Sequence, residues 1–296
     1  MLLLTGATGT IGMPVLRRLL AANIPVRCLV RDPRRLGRHR VRVQIALGDL
    51  ADPFSFRNAL RGVETVIHLA SVIRDQPTGS IEELSGVATW RLVQASERAG
   101  VKRFVFFSTL GASTRSRARL MRAKAIAERA VVESSLQWTV FAPSMVYSPS
   151  DPFITLLERM SLLPVMPISG SGRAGFQPIW AEDVADCVLA ALPGRLNGAD
   201  TAGQRYELAG PETLTYAEIV ACVLRSLRRR RPLVRLPTGF VRRLLNTVEL
   251  LGGPTAFATW DEAELLEVPL ISRHGTADAE RLGVLPKPMR AVLGVG

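Results

Sequence analysis

The stretch MLLLTGATGTIG, residues 1–12, decides the fold. Four apolar residues open it, three glycines follow at a spacing of three, and apolar residues of 13–20 then recur at helical period. A dinucleotide pyrophosphate needs backbone N–H groups and a helix N-terminus aimed at it, with no side chains in its path. Gly6 would make the tight turn, Gly9 would admit the pyrophosphate, and Gly12 would let the helix pack on the strand. The alternative is an ordinary tight strand-to-helix turn.

The next charged position bears on the choice of dinucleotide. Residues 24–32 read as a second strand, and its end faces the adenine ribose in a βαβ dinucleotide unit. An acid at this end binds a free 2′-hydroxyl, whereas an arginine accommodates a 2′-phosphate. Arg31 occupies the place, with Arg34 and Arg35 close behind it, and this favours NADP(H). Asp32 keeps NAD(H) open as the cofactor.

Further strands complete the fold prediction. Segments with strand character are residues 41–50, 63–71 and 101–109. Asp49 ends the first of them, where it could bond an adenine amino group, cap the helix that Pro53 begins, or do both. His68 lies in an apolar strand and is predicted to be a hydrogen-bonded core residue rather than a catalyst. With a helix over 81–99, the alternation predicts an α/β doubly wound parallel sheet.

Composition narrows the class of protein. The chain has 296 residues, 47% hydrophobic and 22% charged, as in a soluble globular protein of one or two domains. It contains no apolar run of membrane-spanning length, and a strand that begins at Met1 leaves no room for a signal peptide. These features predict a cytoplasmic protein. Three scattered cysteines and three histidines are too few to suggest a metal site.

The net charge of +12 comes almost entirely from arginine. The run 225–231 could meet phosphate, an acidic partner or an anionic membrane surface, although a solvated face is the favoured interpretation. Aromatic residues make up only 6% of the chain and none lies among Arg228 to Arg231, which makes nucleic-acid binding the least favoured function. Because the arginine run could also meet an anionic membrane surface, peripheral membrane contact stays open. No motif points to a particular oligomeric state.

Several motifs together resemble the short-chain dehydrogenase/reductase superfamily in its atypical branch, which includes proteins similar to NAD-dependent epimerases and dehydratases. The motifs are residues 5–12, 29–33, 48–50, 68–70 and 100–105, and later segments 124–128, 138–147, 177–185 and 206–212 agree with them. Within the branch, the chain looks most like NAD(P)H-binding proteins grouped with NmrA and with the accessory subunit of respiratory complex I. The resemblance implies a Rossmann domain over 1–150 and a smaller substrate-side lobe over 151–296. Residues from about 176 to 195 would return to the Rossmann sheet.

The residues and the resemblance together predict one set of cofactor contacts. They are Thr5, Gly6, Thr8, Gly9, Thr10, Ile11, Gly12, Arg31, Arg35, Asp49, Leu50, Leu69, Ala70, Ser108, Lys124, Pro143, Ser144 and Met145.

The superfamily's catalytic pattern is a tyrosine, three residues and a lysine, with a serine or threonine at the end of the fifth strand. A phenol whose pKa is lowered by the ammonium exchanges a proton with the carbonyl. Lys124 fits the lysine and Thr109 the hydroxyl, with Ser108 beside it. Leu120 stands where the tyrosine belongs, and leucine cannot transfer a proton.

Three interpretations stay open at this point. Lys124 itself could be the acid/base, as in isoflavone-reductase-like relatives that lack the tyrosine; one of Tyr147, Tyr206 and Tyr216 could enter the site; or the protein binds the nucleotide without turnover. Lys124 could also be a surface lysine paired with Glu128, but a lysine in an arginine-rich chain favours a contact with the cofactor ribose. Tyr147 is predicted to be a packing residue.

The C-terminal third carries fewer signals. A helix is predicted over 153–163, Thr215 and Glu218 form a capping-box pattern, 240–251 reads as an amphipathic helix, and the residues after Pro286 read as a loosely tied tail. The whole sequence predicts an NADP(H)-dependent oxidoreductase of a small carbonyl or quinone-like substrate. The alternative is a non-catalytic NAD(P)H-binding redox sensor, assembly factor or accessory subunit of a respiratory complex. The sequence leaves enzymatic activity itself open.

Overall fold

A computed structural model describes residues 1–149, 151–195, 200–243, 245 and 259–295. Its strands are β1 Leu2–Thr5, β2 Val26–Val30, β3 Gln44–Leu47, β4 Thr65–His68, β5 Arg103–Phe107, β6 Gln137–Pro143, β7 Val146–Tyr147, β8 Met166–Ser169, β9 Gly175–Phe176, β10 Ile179–Trp180, β11 Gln204–Leu208, β12 Leu214–Thr215 and β13 Leu233–Leu236. Its longer helices are α1 Gly12–Ala21, α2 Pro53–Arg57, α3 Ala88–Arg98, α4 Arg119–Val132, α5 Pro152–Met160, α6 Ala181–Ala190 and α7 Tyr216–Ser226. Shorter helices follow at Trp260–Leu265, Ala277–Arg281 and Met289–Val292.

The predicted α/β doubly wound sheet is confirmed. Seven strands form one sheet in the order β11-β6-β5-β4-β1-β2-β3, and every pair in it is parallel. β4 and β5 are buried along nearly their whole length, as strands covered by helices on both faces should be. Strand order reverses between β1 and β4, so the carboxyl ends of these two strands open the crevice where such folds bind ligands.

Residues 176–195 contribute differently from the predicted return to the sheet. Their strand β10 pairs with β7 in a separate two-stranded sheet, and the seventh strand of the main sheet is β11 instead. The segment still returns to the Rossmann layer, because α6 packs on α1. Arg18 of α1 bonds Asp186 of α6 at 2.5 Å and lies 3.0 Å from Glu182. The domain boundary near residue 150 stays a prediction.

A second apolar core holds the C-terminal lobe together. It combines residues of α4 and β7 with α5, β8, β9 and α7, among them Met121, Tyr147, Leu157, Ile168 and Phe176. The predicted capping box at Thr215 and Glu218 is present at the start of α7. Of the helix predicted over 240–251, residues 240–243 and 245 are helical and the rest lie outside the described residues.

The C-terminal tail was predicted to be loosely tied, and this is wrong. Met289 is fully buried in the second core, the backbone N–H of Lys287 donates to Asp183 at 2.8 Å, and Arg290 pairs with Glu212. The last described residues therefore join α6 to the second core.

None of the helices within the described ranges has the length and apolar character required to cross a bilayer.

Candidate nucleotide-binding site

The glycine turn lies at the crevice between β1 and β4, and its three glycines have different reasons to lack a side chain. Gly6 has φ +72°, and a Cβ atom there would lie 2.6 Å from the backbone nitrogen of Ala70. A Cβ atom on Gly12 would lie 2.0 Å from the carbonyl oxygen of Gly6, so α1 could not close on β1. A Cβ atom on Gly9 would meet only that same oxygen, at 3.4 Å, and would otherwise face open space. Packing within the fold explains why residues 6 and 12 are glycines. Gly9 has no such packing reason, and its missing side chain leaves room for a ligand.

The start of α1 offers unpaired backbone donors beside that open surface. Gly9 N–H donates to Gly6 and Met13 N–H donates to Gly9, which closes the turn. The N–H groups of Thr10, Ile11 and Gly12 have no acceptor among the residues that the structure describes. Free donors at the N-terminus of a ten-residue helix favour a negative charge. The turn therefore fits a dinucleotide pyrophosphate, as the sequence predicted.

A buried hydrogen-bond chain fixes the end of β1 against β4. The Thr5 hydroxyl accepts from Ala70 N–H at 3.4 Å and lies 2.7 Å from His68 Nδ1. His68 Nε2 lies 2.9 Å from the Thr89 hydroxyl, which itself donates to the Ser85 carbonyl. This order of donors assigns a neutral histidine with its proton on Nε2. Burial and the charge of Lys124 lower the pKa of His68 to about 3, so His68 is the core histidine that the sequence predicted.

A π-helix at Glu82–Val87 lies beside this chain, and sequence reasoning missed it by predicting one regular helix over 81–99. Its Ser85 hydroxyl accepts from Val72 N–H at 3.0 Å, which ties the loop after β4. Its Gly86 packs closely on α4, since a Cβ atom there would lie 3.5 Å from the Ala123 carbonyl oxygen. The π-helix therefore braces α4 one residue before Lys124. Such insertions recur at functional sites.

At the predicted ribose end of the site, Asp32 and the two arginines Arg31 and Arg35 have different surroundings. The Asp32 side chain accepts from Arg34 N–H at 2.9 Å and caps a short 3-10 helix. Arg31 is exposed, with its guanidinium 3.9 Å from Asp49. Arg35 is also exposed. The exposed cationic side chains can thus meet a phosphate, whereas one carboxylate oxygen of Asp32 already accepts a hydrogen bond.

Of the two roles predicted for Asp49, capping of α2 is not observed. Asp52, and not Asp49, caps α2 by accepting from Phe54 N–H at 3.0 Å. Asp49 instead accepts from Ala51 N–H at 3.0 Å, in a turn that precedes the helix. Capping by Asp49 was therefore wrong, because the turn places Asp52 at the helix start. Its contact with adenine stays a prediction.

Lys124 is the most unusual ionisable group of the site. It is buried on α4, its Nζ donates to the Phe107 carbonyl at 2.6 Å, and it lies 5.2 Å from the Phe106 ring centroid. Burial lowers the pKa of Lys124 to about 8. Glu128, the partner expected for a surface lysine, binds Arg205 at 2.8 Å instead. The interpretation of Lys124 as a surface lysine was therefore wrong. Its ammonium lies at the carboxyl end of β5.

The two hydroxyls after β5 are not equivalent. Thr109, the predicted hydroxyl of the catalytic pattern, donates to the carbonyls of Leu110 and Pro143 at 3.2 and 3.4 Å. Ser108 is buried, and its hydroxyl has no hydrogen-bond partner among the described residues. Ser108 directly follows Phe107, whose carbonyl holds Lys124. A buried unpaired hydroxyl beside a buried ammonium is the more available donor for a ligand oxygen.

Leu120 lies one turn before Lys124 on α4, at the position where the superfamily's pattern has its tyrosine. This position therefore supplies no phenol. Tyr147, Tyr206 and Tyr216 are all buried in the cores. Burial raises the pKa of all three tyrosines, to about 12 for Tyr216. Tyr147 is a core residue, as predicted.

The remaining predicted contacts have largely structural roles of their own. Ser144 donates through its hydroxyl to the Leu270 carbonyl at 2.6 Å and through its N–H to Leu208. The carbonyls of Pro143 and Met145 accept from Leu110 and Ile179. Leu69 N–H donates to Thr5, and Leu50 and Thr8 are partly exposed. Whether these residues touch a cofactor stays a prediction.

An ion-pair cluster at the edge of the site was not foreseen. Arg119, next to Leu120, bonds Asp75 and Glu82 at 3.0 and 2.7 Å, and Asp261 of the C-terminal lobe lies 3.3 Å away. These carboxylates raise the pKa of Arg119. The partners are 44, 37 and 142 positions away along the chain, so no local pattern signals them.

Within the described ranges, no three metal-ligating side chains come together.

Comparison with known proteins agrees with this geometry. The family described as NAD(P)H-binding matches residues 6–193. NAD(P)H azoreductase of Xenophilus azovorans is 31% identical over 226 residues, which cover 75% of this chain and 72% of that protein. The mitochondrial NADH dehydrogenase [ubiquinone] 1 alpha subcomplex subunit 9 of Arabidopsis thaliana is 28% identical over 78% of this chain, which spans 59% of that protein. A nucleoside-diphosphate-sugar epimerase of Staphylococcus aureus shares the fold, with a TM-score of 0.78, 20% identity, and 99% of each chain covered.

Proposed function

This chain belongs to the NAD(P)H-binding family, and we propose that it is a reductase that uses NADPH to reduce a small carbonyl or quinone-like substrate. One observation carries the proposal. Lys124 is a buried ammonium with a lowered pKa at the carboxyl end of β5, and Leu120 stands where the superfamily's pattern has its tyrosine. The azoreductase relative, more than 30% identical over most of both chains, also favours reduction over binding alone.

The chemistry needs a hydride on carbon and a proton on oxygen. Bound NADPH would supply the hydride. Lys124 has three N–H groups, one of which is held by Phe107, so two are left to face a ligand oxygen. With a pKa of about 8, Lys124 is mostly protonated at neutral pH, gives its proton to the forming alkoxide, and recovers it from water. The Ser108 hydroxyl would donate to the same oxygen and hold it beside Lys124.

Preference for NADPH follows from the ribose end of the site. Arg31 and Arg35 are exposed, while Asp32 caps the 3-10 helix. We expect Arg31→Asp to weaken NADPH binding by about tenfold or more and to leave NADH binding nearly unchanged, because one charge-assisted contact is lost. Arg38→Asp, an equal charge change at an exposed position beyond the kink at Gly37, is the matched control. Equal losses for both nucleotides would contradict the preference.

A second function has its own observation. Leu120 removes the usual proton donor, and Thr109 is engaged with the backbone, which suits a protein that binds NAD(P)H without turnover. The plant mitochondrial relative reported above is, by its name, a subunit of an NADH dehydrogenase. In this alternative, Lys124 would only hold the cofactor ribose.

Nucleotide titration followed by a substrate panel separates the two functions. Binding of NADPH and NADH is followed by nicotinamide fluorescence, and a benzoquinone, an aliphatic aldehyde and methyl red are then added to detect oxidation. We expect Lys124→Met to lower turnover by about 10²–10⁴-fold while NADPH still binds. Lys102→Met, at an exposed position directly before β5, is the control. Binding without oxidation of NADPH by any probe supports the non-catalytic alternative, and binding of neither nucleotide overturns both.

A further inference from the structure

A surface of the C-terminal lobe, remote in sequence from the glycine turn, combines exposed aliphatic side chains with arginines. We define this basic–apolar surface by Leu162, Leu163, Val165, Leu233, Val234, Arg225 and Arg228 to Arg231. We propose that it binds the headgroup region of an anionic lipid bilayer. The proposal goes beyond reduction of a substrate and does not depend on it.

Hydrogen bonds bring the two segments of the surface together. Arg229 donates to the Ser161 hydroxyl at 2.5 Å and to the Glu158 carbonyl, and Arg231 donates to the Ser161 carbonyl at 3.0 Å. Both guanidiniums thereby cap the C-terminus of α5, where a positive charge is favourable. The arginine run is consequently fixed against the loop that carries Leu162 and Leu163.

Strand pairing extends the same surface. β13 pairs in parallel with β8, and Met166 N–H donates to the Pro232 carbonyl at 2.9 Å. Met166 and Ile168 of β8 face the core, whereas Leu233 and Val234 of β13 are both exposed. On the adjacent loop, Leu162 is 68% exposed. The exposed aliphatic side chains of the loop and of β13 therefore lie on segments that strand pairing brings next to each other, beside the arginine run.

Charge decides the kind of partner. Residues 159–173 and 225–243 contain ten arginines and no aspartate or glutamate. Two carboxylates border the surface, exposed Glu158 at the end of α5 and Glu267, which lies 3.4 Å from the Ser169 hydroxyl. Arg228 and Arg230 are the most outward of the run, because Arg229 and Arg231 are held by Ser161. The surface is thus strongly cationic with a thin acidic border.

An anionic bilayer satisfies both parts of this surface. Lipid phosphates accept hydrogen bonds from the arginines, and the acyl boundary takes the aliphatic side chains. A nucleic acid would meet the arginines alone, since none of the residues that define the surface carries an aromatic ring on which bases could stack. A cavity of about 440 Å³ between Arg225, Arg229 and Leu233 can receive one headgroup.

Vesicle co-sedimentation of the full chain tests the proposal. We expect binding to vesicles of equal parts phosphatidylcholine and phosphatidylglycerol, much weaker binding to phosphatidylcholine alone, and a decrease as salt is added. Arg228→Gln with Arg230→Gln should weaken binding by about 30-fold, and Leu162→Ser with Leu163→Ser by about tenfold. The control, Arg61→Gln with Arg98→Gln, removes the same charge from exposed positions elsewhere and should change binding by less than about twofold.

Several results would overturn the proposal. These are equal loss in the control pair, equal binding to both kinds of vesicle, or no effect of the leucine changes. Binding of a DNA duplex through Arg228 and Arg230 without vesicle binding would assign the surface to nucleic acid instead. Retained NADPH binding shows that each variant is folded, and Leu162→Ser alone replaces the leucine pair if the pair does not fold.

Discussion

The glycine turn after β1 and the site edge after β5 are built in opposite ways. At the turn, side chains are absent and the N–H groups of Thr10, Ile11 and Gly12 are left open by the described chain. At the edge after β5, most polar groups already bond the protein, and Lys124 with Ser108 are the ones left to act. Under the proposed function, nucleotide binding would therefore depend mainly on backbone shape, whereas the chemistry would depend on two side chains. Mutations in the two regions should therefore affect nucleotide binding and turnover separately.

The largest effect is expected from Gly12→Ala. The new Cβ atom would lie 2.0 Å from the Gly6 carbonyl oxygen and 2.8 Å from the Ala7 Cα, and neither backbone atom can move without displacing β1 or α1. We expect the free energy of unfolding to fall by at least about 3 kcal/mol, measured by urea denaturation. Gly239→Ala, where no atom of the described residues lies within 4 Å of the added group, should be nearly neutral. A stable Gly12→Ala protein would contradict the close packing of α1 on β1.

Gly9→Ala should break binding and spare the fold. Its Cβ atom meets only the Gly6 carbonyl oxygen, at 3.4 Å, and otherwise occupies the space that the pyrophosphate needs. We expect a urea midpoint close to that of the wild type and NADPH affinity lowered by about 100-fold, by fluorescence titration. If Gly9→Ala bound NADPH normally, the turn would be an ordinary connection and not a phosphate site.

The contrast between the two regions also explains what the sequence could predict. The sheet, α1 and the roles of the glycines follow from local periodicity and from backbone sterics, so they could be derived from residues 1–12 and the strands that repeat their pattern. The cap at Asp52 was missed because Asp49 and Asp52 both precede Pro53, and only the turn geometry decides between them.

The site edge after β5 was harder to predict because it is assembled from distant segments. Lys124 was found from its spacing, but its burial and its bond to Phe107 are properties of the packed α4 and β5. Engagement of Thr109 with Pro143, and the buried Met289 of the tail, likewise depend on residues far along the chain. Such contacts leave no period or motif in a single sequence.

The pKa of Lys124 sharpens the comparison through two pH dependences of opposite sign. As a proton donor, Lys124 must be protonated, so kcat/KM should fall about tenfold per pH unit above pH 8. The folded state disfavours the charged lysine, because burial lowers its pKa from 10.5 to about 8. The unfolded chain therefore binds more protons in this window, and the contribution of Lys124 to stability rises from pH 8 to 10.5. Lys124→Met should remove both trends, and a flat pH–rate profile in the wild type would exclude Lys124 as the acid.

The smallest effect distinguishes the two hydroxyls after β5. Ser108→Ala removes a buried hydroxyl without a described partner, so the folded protein loses no hydrogen bond and should be as stable as the wild type or slightly more stable. If Ser108 donates to the substrate oxygen, turnover should fall by about tenfold while NADPH affinity stays the same. Thr109→Val, which removes the bonds to Leu110 and Pro143, should instead lower stability by about 1 kcal/mol with turnover nearly unchanged. Thermal melts and steady-state rates of the two variants measure both quantities. The reverse result, with turnover lost only in Thr109→Val, would return the catalytic role to the residue that the sequence pattern selects.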